Sequence, residues 1–207
     1  MRIGAGSGNL GDPRQHELRR HLKMMSRFID TAAPGASHTM VLRSAGSDPA
    51  KTLVGLKGAL QRVGAVARVI LAKLEPELDL KQLFAALSEL APHAPAHELI
   101  RWARNPRLLD AHEQVTYGDA MCWSGDAMRR DAERRNVLVL FDEDAAAVRL
   151  GRQAFAALWQ ASVPVPAHRL AGNATVRPSG AYEQPADPAV APATLRRPLQ
   201  IWPLLRH

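Results

Sequence analysis

Four stretches of the chain repeat apolar residues at helical spacing, and short apolar runs lie between them. Leu18, Leu22, Met25 and Ile29 predict an amphipathic helix over about 13–32, opened by Asp12-Pro13 and stopped by Pro34-Gly35. Its opposite face carries His16, Arg19, Arg20, Lys23 and Arg27. Leu53, Leu56, Leu60 and Val63 predict a second helix, entered through Ser47-Asp48-Pro49 and ended by Gly64. Leu80, Leu83, Phe84, Leu87 and Leu90 predict a third, capped by Asp79. Val148, Phe155, Leu158 and Trp159 predict a last one, which follows the acids at 142–144 and runs to about Ser162. The runs at 38–43, 66–71, 97–102 and 136–141 read as strands. Strand, helix and strand within about 34 residues form a βαβ unit, which implies two parallel neighbours and the α/β class.

The stretch between the third and fourth strands differs. Residues 111–131 read A-H-E-Q-V-T-Y-G-D-A-M-C-W-S-G-D-A-M-R-R-D. His112, Gln114 and Thr116 alternate with Glu113, Val115 and Tyr117, so one strand face carries imidazole, amide and hydroxyl. Gly118-Asp119 is a turn pair, and 120–124 returns as a second strand, which gives a hairpin. His112 and Gln114, with Arg129 and Arg130 just beyond, could hold a phosphate; the plainer reading is a hairpin with a half-exposed His and Gln.

Organisation follows from where the periodicity stops. Residues 1–12 are Gly-rich and read as a flexible N-terminus, 13–162 as one domain, and 163–207, with eight prolines, as an extended Pro-rich tail. Gly6, Gly8 and Gly11 match a dinucleotide-binding spacing without the strand that should precede it. His93 and His97 are four apart, but Pro95 between them breaks the helix that would aim both at one metal.

Composition narrows the classes. The chain has 207 residues, 46% of them apolar, enough for a real core. No apolar run is long enough for a membrane span, and the first residues lack a secretory h-region. With Cys122 as the single cysteine there is no internal disulfide, and a cytoplasmic setting is the expectation. Cys122 itself reads as a small buried hydrophobe. The net charge of +7 favours polyanions such as nucleic acid or anionic phosphate ligands. Aromatic residues are too few for an evident base-stacking platform.

His112, Gln114 and Asp119 fit H-x-K-x4-D with Gln in place of Lys, and Gly125 falls close to that pattern's Gly. The segment resembles the signature of the phospholipase D superfamily. The likeness extends over about 28–162, including the apolar strand, acidic turn and Phe155, Leu158, Trp159 stripe that follow the motif. It implies a phospholipase D-like mixed sheet flanked by helices. It also implies metal-independent phosphodiester chemistry at a site built from two motifs, one His attacking phosphorus and the other protonating the leaving group. On this chain His112 would be the nucleophile or acid, Asp119 the acidic partner, and Gln114, Arg129 and Arg130 the phosphate-binding set, with no cofactor. A chain with one motif would complete the site as a homodimer. The departures are Gln114 for Lys, Asp126 where Ser or Thr is usual, Met128 near the place of an Asn, and a spacing from Asp119 to Gly125 one residue short. They imply a degenerate domain with weak or absent phosphodiesterase activity that serves as a binding or assembly module. The alternative is an active phosphodiesterase of nuclease or phospholipase type, using His112 from each subunit.

Overall fold

The computed structural model describes residues 13–105, 112–125, 139–143 and 145–171. Six helices and seven strands are described: α1 (Pro13–Thr31), β1 (Ser37–Leu42), α2 (Asp48–Arg62), β2 (Val66–Leu71), α3 (Glu77–Leu90), α4 (Ala96–Leu99), β3 (Ile100–Trp102), β4 (Glu113–Tyr117), β5 (Met121–Gly125), β6 (Val139–Asp142), α5 (Ala145–Ala161), β7 (Val163–Pro164) and α6 (Ala167–Leu170). The strands form one mixed sheet in the order β6-β5-β4-β1-β2-β3-β7. β1, β2 and β3 are parallel, as the βαβ reading requires. The chain then returns to the far side of β1, where β4 runs antiparallel to it, followed by the β4–β5 hairpin and β6.

Alternation along the strands divides the sheet between two layers. Met40, Leu42, Val69, Leu71, Ile100, Val115 and Tyr117 join the main core with Met25, Phe28, Leu53, Leu60, Leu80, Leu83 and Leu87 from α1, α2 and α3. Val41, Ile70, Ala72 and Ala103 point to the other face, where Phe155 of α5 packs on them with Leu158 and Trp159 alongside. The Arg101 guanidinium lies over the Trp159 ring, 4.8 Å from its centroid, and donates to the Trp159 carbonyl at 2.9 Å.

Several sequence expectations are corrected. The buried stripe of α1 is His21, Met24, Met25 and Phe28; Leu22 is exposed. The helix is turned by about one residue because His21 finds partners inside the protein. Its Nδ1 lies 2.8 Å from the Tyr117 hydroxyl, its Nε2 lies 3.3 Å from Glu17, and its ring meets Trp123 edge-on. Residues 97–99 are helical rather than extended, since Pro95 opens a single turn that leaves only three residues for β3. α3 starts at Glu77, so Asp79 stands in its first turn instead of capping it. The folded domain does not stop at Ser162. Val163-Pro164 pairs with Arg101-Trp102 at the sheet edge, and Val165 and Leu170 enter the main core. An edge strand tolerates Pro164 because its outer side needs no N–H. The Gly6–Gly11 spacing, the start of the strand expected at 136–141, and residues 172–207 lie outside the described residues.

Candidate functional site

The switch from parallel to antiparallel order, between β1 and β4, is where α/β sheets open a crevice at the carboxyl ends of their strands. The β1–β4 register pairs Val41 with Gln114, so His112 stands beside the end of β1, near Arg43. His112 is exposed there.

Glu113, next in the chain, is held in the opposite sense. It is 3% exposed and points under α2. Its Oε1 accepts the Arg43 backbone N–H at 2.7 Å and the Ser47 hydroxyl at 2.8 Å. Burial pushes its carboxyl pKa up, and these two hydrogen bonds oppose the rise. Ser47 is the residue at the N-cap of α2, yet its hydroxyl makes no cap bond. Glu113 takes that hydroxyl, and so joins the start of β4 to the β1–α2 turn. Sequence reading passed over Glu113, whose alternation with His112 and Gln114 was the available signal.

Gln114 shares the His112 face by alternation. It is half-buried beneath α5, where its amide packs against Gly151, and its Nε2 lies 3.5 Å from Cys122 Sγ. The amide is therefore committed to the packing of α5 on the hairpin. Cys122 is buried, as expected for a small apolar residue.

Asp119 stands at the other end of β4. Gly118 makes the turn with φ +60, and Asp119 is highly exposed and ion-paired with Arg152 of α5. The five residues of β4 separate it from His112, about 17 Å at ~3.3 Å per residue. One chain thus sets these two at opposite ends of β4 and does not bring them together. An exposed pair of this kind contributes little to stability.

Gly125 ends β5 opposite Glu113. A Cβ there would lie 2.6 Å from Cη2 of Trp123, so the glycine is required by the indole ring folded over it. Asp126, Met128, Arg129 and Arg130 lie outside the described residues.

Comparison with protein-family models, with curated proteins and with solved structures finds no match for this chain. Among the described residues, no three His, Cys, Asp or Glu side chains gather in a way that could hold a metal ion. Nor is any described helix long and apolar enough to cross a membrane.

Proposed function

We propose that this chain is a phospholipase D-like domain that has lost most or all of its phosphodiester chemistry and acts as a binding or assembly module for phosphate-bearing anions. The observation that carries the reading is Gln114. At the place of the motif's lysine stands a neutral amide, and that amide is occupied by Cys122 and Gly151. Charge-assisted hydrogen bonds are roughly twice as strong as neutral ones, and one missing donor to a transition state costs about 10²–10³ in rate. Asp119, tied to Arg152 at the far turn, does nothing to offset that deficit. The sheet is mixed, and the exposed His112 at its carboxyl edge leaves a surface for an anion.

A second reading draws on the exposure of His112. Two copies meeting at this edge would set one imidazole against another, and the chain would be a metal-independent phosphodiesterase active only as a homodimer. Sedimentation at micromolar concentration separates the two, since a strict monomer removes the paired site.

The binding reading is tested by titrating the full chain with inorganic phosphate and, separately, with a short single-stranded DNA, followed at the imidazole resonances of His112. A saturable, salt-dependent shift without hydrolysis is expected. A His112 resonance that stays fixed in both titrations would remove the anion site from this strand.

A further inference from the structure

The carboxyl edge of the sheet carries a second feature, two strands away from β4. Where β2 and β3 end, the chain leaving β7 for α6 borders a cleft of about 440 Å³, within the size range of small-molecule sites. Lys73, Glu75, Trp102, Pro166, His168 and Arg169 line it. Strands lie about 4.8 Å apart, so β2 and its Lys73 are roughly 10 Å from β4. None of the described residues behind the phospholipase D resemblance lines the cleft.

Its charges favour an anion. Among the described residues, Glu75 is the one carboxylate in the lining, and it is already held by Arg169, whose Nη2 donates to it at 2.8 Å. That pair fixes the guanidinium while its Nε, a buried donor, has no hydrogen-bond partner among the described residues. A buried donor without a partner is costly, so the protein itself does not fully satisfy this guanidinium, and its side chain is still 27% exposed. The Lys73 side chain is exposed and has no ion-pair partner among the described residues. Glu77, in the first turn of α3, is paired with Lys81 at 2.7 Å and also feels the charges of Arg169 and His168. Lys73 and Arg169, with the His168 imidazole beside them, therefore face two acids, Glu75 and Glu77, that already have ion-pair partners in Arg169 and Lys81. The partly buried indole of Trp102 forms another part of the wall, with the Arg104 guanidinium over one face of the ring, 5.8 Å from its centroid.

A doubly charged group matches Lys73 and Arg169, and a flat ring matches Trp102. We infer that this cleft binds a phosphomonoester joined to a planar ring, as in a nucleoside monophosphate. Lys73 and Arg169 take the phosphate, and Trp102 lies against the ring.

The test uses the full chain and three probes in separate titrations: adenosine 5′-monophosphate, adenosine and inorganic phosphate. The indole N–H resonance of Trp102, one of four tryptophans, is the readout and is assigned with Trp102→Phe. The nucleotide should move it saturably and bind at least about tenfold tighter than adenosine or phosphate alone. Lys73→Glu should weaken nucleotide binding by at least about tenfold, with the Trp123 and Trp159 resonances unchanged as the check on folding. A Trp102 resonance that does not move up to about 10 mM nucleotide overturns the proposal. So does a Lys73→Glu protein that binds as well as wild type, and so does equal affinity for phosphate and nucleotide.

Discussion

The side-chain amide of Gln114 occupies the space that a Cβ on Gly151 would need. Cys122 Sγ closes the same space at 3.1 Å from that position. The glycine in α5 thus lets the helix lie close to the β4–β5 hairpin, and the amide under it serves packing before any ligand.

Gly151→Ala should therefore cost about 1–3 kcal/mol, the usual range for overfilling a packed site. Gln114→Ala opens the space, so in the double variant the alanine at 151 should be tolerated. Urea denaturation of the four proteins checks this as a coupling of at least about 0.5 kcal/mol between the two sites. Strict additivity would mean that α5 does not rest on Gln114.

Glu113 joins β4 to the β1–α2 turn through two donors, Arg43 N–H and the Ser47 hydroxyl. Glu113→Ala strands both and should destabilise the protein by about 2–4 kcal/mol. Glu113→Gln keeps an acceptor oxygen, and burial already disfavours the charged carboxylate, so its effect should be well under half as large. Chemical denaturation at neutral pH distinguishes the pair.

His38 supplies the pH dependence. It is fully buried, its Nδ1 donates to the Thr116 carbonyl at 2.9 Å, and its Nε2 has no hydrogen-bond partner among the described residues. Burial lowers its pKa from 6.5 to about 4, with the nearby His21 adding to the fall and the Thr116 bond opposing it. Between those values the unfolded chain takes up a proton that the folded chain refuses. Stability should fall as pH drops through that window, by roughly 3 kcal/mol in full. His38→Phe, which keeps a ring between Phe28 and Tyr117, should flatten that part of the profile. Other groups bearing on the profile, Glu17 held low by His21 and Arg20 against its burial and Glu113 pushed up, are common to both proteins. A wild-type curve parallel to that of His38→Phe between pH 7 and 4.5 would reject the assignment.

Most elements were legible because their signals are local. Helix spacing, Gly64 after α2 and the Gly118 turn act within a few residues, and the parallel order of β1 and β2 follows from the helix between them. What escaped was set by distant partners. A histidine in an apolar stripe reads as surface, and only Tyr117, 96 residues on, makes His21 an interior residue. Ser47 reads as a cap until Glu113 takes its hydroxyl. Val163-Pro164 looks like tail, since two residues carry no period; the open edge of β3 makes them a strand. At the candidate site, the motif spacing placed His112 and Gln114 on one face but gave no sign that Gly151 would bring α5 down on the amide, or that a whole strand would separate Asp119 from His112.

The loss of phosphodiester chemistry is tested most directly by hydrolysis of bis(p-nitrophenyl) phosphate in metal-free buffer across pH 5–8, with wild type and His112→Ala measured side by side. The two rates should agree within about tenfold, because a site with a neutral, half-buried amide in place of its cation forgoes about 10²–10³ in rate. Wild-type turnover about a thousandfold above that of His112→Ala would show a working histidine nucleophile and contradict the account.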